Sequence, residues 1–190
     1  MADSGRLPAT RPGSRTRTLL TIAAISAVGA VLLAVAGDLS LLGLAVFPPL
    51  TAALTGLWMV PPVLALALLR RGGVGLLASV IAGLVALPFT GFQIFIPIAA
   101  VVTGLVLEAV FAVTRYRRWP VWRFYLAALI ESAIILSVEW QTFGIAHMVL
   151  AMQLVMIVVL TAANVACTAL ALVTAARLRR AGVGAPLTLP

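Results

Sequence analysis

The feature that most constrains the fold is a four-residue turn between two long apolar runs. The first run, residues 56–69, ends at Arg70-Arg71-Gly72-Gly73, and the second begins at once with Val74. Glycines permit a tight reversal of the backbone, and arginines hold a turn in the water at a membrane surface. The pattern predicts two membrane-spanning helices that reverse direction at this turn.

The composition agrees with a chain that lies largely within a bilayer. Hydrophobic residues make up 63% of the sequence and charged residues 9%, whereas soluble domains contain about 25% charged residues. Several apolar runs reach the roughly 20 residues that a helix needs to cross the hydrocarbon core. We therefore expect an all-α integral membrane protein with one transmembrane domain.

The apolar runs predict a bundle of six transmembrane helices. The expected spans are residues 18–36, 49–69, 74–87, 97–114, 124–140 and 148–176. Residues 1–17 are polar, basic and rich in Pro, Gly and Ser, which is typical of a disordered cytoplasmic tail. Residues 18–180 form the membrane domain in this interpretation, and residues 181–190 form a second cytoplasmic tail.

The positions of the thirteen arginines predict the orientation of the bundle. They lie in the N-terminal tail, the 70–71 turn, residues 115–123 and the C-terminal end, whereas the loops near residues 38, 92 and 143 contain none. Basic residues collect in cytoplasmic loops, so both termini are expected in the cytoplasm. This orientation also explains the net charge of +8 without a nucleic-acid partner.

No motif for catalysis or metal binding is found. The chain has no lysine, so it lacks the phosphate-binding lysine of a P-loop. It also has no HExxH, no Cys/His cluster at metal spacing and no G-x-S-x-G. We therefore expect no enzyme activity, no cofactor and no metal site in this chain.

Polar and aromatic residues near the arginine-free ends of the spans predict a recognition pocket, because aromatic faces, amides and a carboxylate converge there from several helices. Alternatives remain at each position: Glu139 suits a solvated helix end, Trp58 suits core packing, and His147 suits an ordinary loop. The residues expected to contact a ligand are Trp58, Gln93, Glu139, Trp140 and Gln153, with Gln141 and His147 at the same level.

A second polar layer lies deeper, in the half of the bundle nearer the arginines. Ionisable groups at membrane depth usually face a cavity or a partner. Glu108 and Glu131, with Asn164 between them, form either a proton relay or hydrogen bonds between helices. Glu108 is also a candidate carboxylate for a cationic substrate.

The first span carries small residues at four-residue spacing. Ala23 and Ala27 lie on one stripe, and Ser26, Ala30 and Ala34 lie on a neighbouring one. Small residues allow a second helix to approach closely in lipid. The pattern favours a helix–helix interface with another subunit.

The chain resembles the substrate-binding S component of an energy-coupling factor (ECF) transporter, of the YkoE type linked to thiamine and its hydroxymethylpyrimidine precursor. The similarity runs from about Phe47 to Arg180. The chain departs from the family pattern at Ser79 in place of a glutamate, at Thr103 in place of a glutamine, and at Gln93-Ile94-Phe95 in place of Q-W-G. The stretches that carry the resemblance are Gly56-Leu57-Trp58-Met59-Val60-Pro61, Arg70-Arg71-Gly72-Gly73, Gly91-Phe92-Gln93, Gly104-Leu105-Val106-Leu107-Glu108-Ala109-Val110-Phe111 and Arg115-Tyr116-Arg117-Arg118-Trp119.

The resemblance implies a vitamin importer of the prokaryotic cell membrane. The resemblance implies a six-helix bundle that captures a vitamin from outside the cell. It also implies association with a membrane coupling subunit (T component) and two cytoplasmic ATPases, which hydrolyse the ATP. The resemblance assigns the coupling-subunit interface to Ala23, Ala27, Ala30 and Ala34, and it is compatible with Glu108 as a substrate-binding carboxylate.

Three alternative functions remain open at this point. The first is an S component for a different vitamin. The second is a structural membrane subunit without a ligand, which predicts a filled, apolar interior. The third is a proton-coupled carrier that uses Glu108 and Glu131, which predicts uptake that depends on the proton gradient.

Overall fold

The computed structural model describes residues 12–142 and 144–183, and the secondary structure of these residues is helical. The expectations for residues 1–11 and 184–190 of the two tails lie outside the described residues. The α-helices are α1 (Pro12–Val46), α2 (Pro48–Thr55), α3 (Val60–Leu69), α4 (Val74–Ala86), α5 (Phe95–Ala112), α6 (Trp122–Thr142) and α7 (Leu150–Arg180). Short 3₁₀ turns cover Gly56–Met59, Leu87–Phe89 and Ile145–His147.

Helix α1 is much longer than the expected span of residues 18–36. It has 35 residues, which corresponds to about 52 Å along the axis. Residues 12–17, which the sequence placed in the tail, belong to this helix, and so do Asp38 and Ser40, which were expected in a loop. No proline lies between Pro12 and Pro48. Pro48 disfavours helical geometry at the residue before it, Phe47. The helix therefore continues to Val46.

The segment Pro48–Leu69 crosses the molecule as one interrupted helix. Helices α2 and α3 are joined by the 3₁₀ turn Gly56–Met59, and Pro61 and Pro62 lie in the first turn of α3, where proline is tolerated. A Cβ atom at Gly56 would lie 2.6 Å from the backbone of Ala163. Glycine is needed here because α7 approaches the turn so closely.

The predicted reversal at residues 70–73 is present. Helix α3 ends at Leu69, Arg70 and Gly73 have left-handed backbones with φ values of 48° and 84°, and α4 begins at Val74. Among the described residues, five helical segments are long and apolar enough to cross a membrane. The α4 segment, Val74–Phe89, is apolar but shorter. The chain is thus a multi-pass membrane protein.

Side chains from six helices form the largest core cluster. Met59, Leu66, Leu107, Phe111 and Phe124 are its bulky members, and each is almost fully buried. The ring of Phe111 stacks on Trp119 and contacts Phe124, with centroid distances of 5.0 and 4.7 Å. This packing joins the end of α5 to the start of α6.

Three hydrogen bonds bring the described basic segments together at one end of the bundle, which we call the arginine end. Arg17 Nη2 donates to the carbonyl oxygen of Gly182 at 3.0 Å, so the start of α1 lies beside the end of α7. Arg179 Nη1 donates to the carbonyl oxygen of Ala67 at 2.7 Å, next to the 70–73 turn. Arg123 Nη1 donates to Thr114 Oγ1 and closes the loop between α5 and α6.

Candidate functional site

A cavity of about 390 Å³ lies in the half of the bundle opposite the arginine end. Its walls come from the second half of α1, from α2 and the following turn, from the start of α5 and from the second half of α6. Pockets of roughly 300–1,000 Å³ are typical of small-molecule sites. The residues of α1, α2 and the turn that line it are Gly37, Ser40, Thr51, Thr55 and Trp58.

One face of α6 supplies the longest wall of the cavity. Its lining residues recur every three or four positions, which places them on a single helical stripe. They are Glu131, Ile134, Ile135, Val138, Glu139 and Thr142. The stripe is apolar except for the carboxyl group of Glu131 in the middle of the helix and the side chains of Glu139 and Thr142 near its end.

Glu139 is held in place by a threonine on the facing helix. The single hydroxyl hydrogen of Thr55 is shared between two acceptors, since Oγ1 lies 3.3 Å from Glu139 Oε1 and 3.0 Å from the carbonyl oxygen of Thr51. The Glu139 side chain is only 7% exposed, and its second oxygen, Oε2, is buried without a hydrogen-bond partner. A buried polar atom of this kind is costly unless a ligand, water or proton satisfies it.

Glu131 repeats this arrangement deeper in the bundle. Thr103 Oγ1 on α5 donates to Glu131 Oε1 at 2.5 Å, and Glu131 Oε2 is buried without a partner. The side chain is 2% exposed. On the adjacent face of α6, Asn164 Nδ2 of α7 donates to Ser132 Oγ at 2.8 Å. The cavity therefore has a second carboxyl group at membrane depth.

Aromatic rings form much of the remaining wall. Trp58 lies in the 3₁₀ turn and packs against the buried cluster that contains Leu33 and Ile96. Phe95 lines the cavity from the start of α5, and Phe92 lines it from the turn before this helix. None of the lining residues in the part of the chain that the structure describes is basic. The arrangement combines aromatic faces with two carboxyl groups in an otherwise apolar space, which suits an aromatic or cationic organic ligand.

The structure brings two of the predicted ligand contacts, Trp58 and Glu139, into this cavity together with Glu131. Three others lie elsewhere. Gln93 is exposed and has a left-handed backbone with φ of 46°. Trp140 packs against Met156 and Leu160 on the other side of α6. Gln153 Nε2 donates to the carbonyl oxygens of Ile145, Ala146 and Met148, so it holds the loop before α7.

Glu108 does not line the cavity. Its carboxylate lies at the arginine end, where it accepts hydrogen bonds from the backbone N–H groups of Gly73 at 3.0 Å and Gly75 at 2.9 Å and from the hydroxyl of Tyr116 at 2.6 Å. An acidic group at the start of α4 is stabilised by the helix dipole. Glu108 thus connects the 70–73 turn to the end of α5, and its partners differ from those of Glu131.

The four alanines of the expected interface fall into two groups. Ala23 and Ala27 are exposed on the outer surface of α1. Ala30 is 4% exposed and Ala34 packs beside it against α4, while Ser26 Oγ donates to the carbonyl oxygen of Ala78 at 3.1 Å. The second stripe is therefore used inside this chain, because α4 already covers it.

Glu131, Thr51, Thr55 and Thr142 line the cavity. The sequence interpretation did not include any of these four residues among the expected ligand contacts. Counting residues from the loops placed Glu131 below the expected pocket, yet the cavity reaches the middle of α6. Glu131 and Glu139 are eight positions apart, a spacing that places both carboxyl groups within one broad stripe of a helix. No group of three His, Cys, Asp or Glu side chains suited to a metal occurs in the described ranges.

Comparisons with known proteins give a structural match for the fold and a family for the sequence. A crystal structure titled as an S-component of an ECF transporter has the same fold, with a TM-score of 0.77 and 24% sequence identity over 87% of this chain and 86% of that one. No curated protein matches the sequence. Residues 17–135 match the family described as ABC-type cobalt transport system, permease component. Since this match covers more than half of the sequence, the chain belongs to that family of transport permease components.

Proposed function

We propose that the chain is the substrate-binding S component of an ECF-type importer and that it captures an organic cation with an aromatic ring, of the thiamine or hydroxymethylpyrimidine type. The similarity to a solved S component supports the architecture. The cavity lined by Trp58, Glu131 and Glu139 supports a ligand. The chain has no P-loop lysine, so partner subunits would hydrolyse the ATP.

The observation that carries this proposal is the pair of buried carboxyl oxygens without partners, Oε2 of Glu131 and Oε2 of Glu139. Each sits on a side chain whose other oxygen already accepts a hydrogen bond from a threonine. In an apolar wall such an oxygen needs a proton, a hydrogen-bond donor or a positive charge. A cation that also donates hydrogen bonds satisfies both groups.

The spacing of the two carboxyl groups favours an elongated ligand. Glu131 and Glu139 are eight positions apart on α6, which is about 12 Å along the helix axis. A molecule with a positively charged ring at one end and a donor-bearing ring at the other matches two acceptors at two depths. The Trp58 and Phe95 rings provide flat surfaces for stacking between them.

We assign the arginine end to the cytoplasm and the cavity to the outer side of a prokaryotic cell membrane. In this assignment α4 is the sixth span, residues 18–180 form the membrane domain, and both tails are cytoplasmic. The arginines of the described residues support it, because they cluster at one end while the cavity lies at the other. The ligand would then enter from outside.

Release to the cytoplasm would require partners. We assign a membrane coupling subunit and two ATPases to this role, with Ala23 and Ala27 on the outer surface of α1 as the contact for the coupling subunit. Their exposure supports this contact, since small residues permit close approach of a second helix. Ala30 and Ala34 are omitted because α4 packs against them.

A divalent cobalt ion is the second candidate, because the matching family is described as a cobalt transport permease. The described residues that line the cavity include neither histidine nor cysteine, and the two carboxyl-bearing positions are about 12 Å apart along α6. First-row metals bind strongly to imidazole and thiolate ligands, and several ligands must reach one ion. The lining residues therefore fit an organic cation better than a bare metal ion.

A panel of ligands tests the proposal. Purified protein is titrated with thiamine, hydroxymethylpyrimidine and Co²⁺, with binding followed by calorimetry. We expect saturable binding of thiamine or its pyrimidine precursor and none of Co²⁺. Saturable Co²⁺ binding without any organic ligand would support the second candidate, and binding of neither class would contradict the proposed thiamine-type ligand and leave an S component for a different vitamin.

A further inference from the structure

A small cleft of about 40 Å³ lies at the arginine end, far from the cavity. It is formed where the end of α3, the start of α6 and the end of α7 meet, and we call it the arginine cleft. Two arginines, Arg70 and Arg179, line it together with Trp119. Apolar side chains of Phe124 and Leu172 complete the wall.

The positive charge in the arginine cleft has no acidic counterpart among the residues that line it. Glu108 lies at the same end, but its two oxygens already accept hydrogen bonds from the backbone N–H groups of Gly73 and Gly75 and from the Tyr116 hydroxyl. The cleft therefore carries two positive charges that a small anion would balance.

The position of Arg179 is fixed before any ligand binds. Its Nη1 donates to the carbonyl oxygen of Ala67 at 2.7 Å, which holds the side chain across the gap between α7 and α3. A guanidinium group has five N–H donors, so others remain for a second acceptor. Arg70 follows α3 directly, and its own N–H donates to the carbonyl oxygen of Leu66 at 2.9 Å.

We propose that the arginine cleft binds the phosphate of an anionic phospholipid headgroup. The cleft lies where apolar helices end in arginines, which is the level of lipid headgroups, and basic clefts between transmembrane helices are suited to anionic lipids. Its apolar wall includes Leu172 of α7 and Val121, which is 58% exposed. An acyl chain can lie against this surface while the phosphate contacts the two arginines.

The test measures which lipid stays bound to the full chain. Protein reconstituted in vesicles of equal parts phosphatidylglycerol and phosphatidylcholine is extracted in mild detergent, and bound lipid is counted by native mass spectrometry. The variant R70Q/R179Q removes both charges but leaves an amide donor at position 179 for the Ala67 carbonyl. R115Q/R117Q is the matched control, because it removes the same charge from residues outside the cleft.

We expect one retained phosphatidylglycerol on the wild type and on R115Q/R117Q, and roughly 30-fold weaker retention on R70Q/R179Q. The charge-preserving variant R70K/R179K should retain most of the lipid, which separates loss of charge from loss of fold. Equal losses in R70Q/R179Q and R115Q/R117Q, or no preference for phosphatidylglycerol, would overturn the proposal. Displacement of the lipid by millimolar inorganic phosphate would also overturn it, because the cleft would then bind a soluble anion.

Discussion

The hydroxyl group of Thr55 on α2 donates a hydrogen bond to Oε1 of Glu139 on α6, at 3.3 Å across the mouth of the cavity. Thr103 on α5 holds Glu131 in the same way, at 2.5 Å. In both cases a neutral hydroxyl group orients the carboxyl group and leaves its second oxygen without a partner. Two carboxyl groups are thus positioned in the cavity without being neutralised by a basic residue.

Trp58 and Trp140 are tryptophans of the same half of the bundle with different surroundings. Trp58 lines the cavity, whereas Trp140 packs against Met156 and Leu160. We predict that Trp58→Ala weakens ligand binding roughly tenfold, because a stacking surface for a cationic ring is lost. Trp140→Ala should leave the dissociation constant unchanged and lower the free energy of unfolding by about 2 kcal/mol. Calorimetric titration and thermal unfolding measure the two quantities, and the reverse pattern would move the ligand out of the cavity.

The Glu108–Tyr116 hydrogen bond predicts a dependence of stability on pH. Burial and then the hydrogen bond and charge of Glu108 raise the pKa of Tyr116 to about 12, from 10.0. Because the folded-state pKa is raised, the stabilisation is fully present below pH 10 and is lost as the pH rises through about 12. We expect Tyr116→Phe to lower the free energy of unfolding by about 1 kcal/mol at pH 8.

The thermal midpoints of the wild type and Tyr116→Phe, measured from pH 8 to pH 12, check this prediction. The difference between the two proteins should be constant up to about pH 10 and should shrink above it. A difference that grows with pH in this interval would show that the tyrosine donates no hydrogen bond to Glu108. Tyr125→Phe, on α6 and outside this contact, is the control.

Two glycines that differ in their neighbours test the packing of α7. A Cβ atom at Gly56 would lie 2.6 Å from backbone atoms of Ala163, whereas one at Gly91 would meet only the end of the Leu41 side chain at 2.7 Å. We predict that Gly56→Ala lowers the free energy of unfolding by about 1–3 kcal/mol, because backbone atoms must move. Gly91→Ala should change it by less than about 0.5 kcal/mol, since a flexible side chain can move aside. Equal effects in a denaturation series would be inconsistent with this contact.

The membrane orientation predicts the labelling of single cysteines in whole cells. With Cys167 replaced by Ala, Ala146→Cys should react with a membrane-impermeant maleimide, because residue 146 is exposed at the arginine-free end. Arg117→Cys, which is exposed at the arginine end, should react only after the cells are permeabilised. The opposite pattern would place the cavity on the cytoplasmic side.

The reversal at residues 70–73 and the clustering of arginine at one end could be predicted from sequence because both depend on local signals, glycine and charge next to an apolar run. The direction in which each side chain faces could not be predicted from the sequence. Helix α7 is apolar around most of its circumference, so its sequence does not distinguish a core face from a lipid face. Gln93, Trp140 and Gln153, which were expected to contact a ligand, are not among the residues that line the cavity.

The length of α1 and the depth of the cavity also escaped prediction, for a different reason. Asp38 and Ser40 are polar and were assigned to a loop, yet Asp38 Oδ1 accepts the N–H of Gly91 at 3.1 Å and the carbonyl oxygen of Ser40 accepts the hydroxyl of Thr51 at 3.0 Å. Contacts with distant segments thus keep these residues in a helix. Likewise, the position of Glu131 in the cavity depends on how α5 and α6 pack, which hydropathy does not record.

The most direct test of the account is the affinity of the ligand selected by the panel for variants of the two cavity carboxyl groups. Glu131→Gln and Glu139→Gln keep the hydrogen bonds from Thr103 and Thr55 to a carbonyl oxygen and remove only the negative charge. Asp38→Asn is the control, a carboxylate of the same end that does not line the cavity and whose amide oxygen can still accept the Gly91 N–H. Calorimetric titration of that ligand into each protein should give a dissociation constant that is raised roughly 30-fold or more in both glutamate variants and is unchanged in Asp38→Asn. Wild-type affinity in Glu131→Gln and Glu139→Gln would contradict the assignment of the cavity as the binding site of a cation.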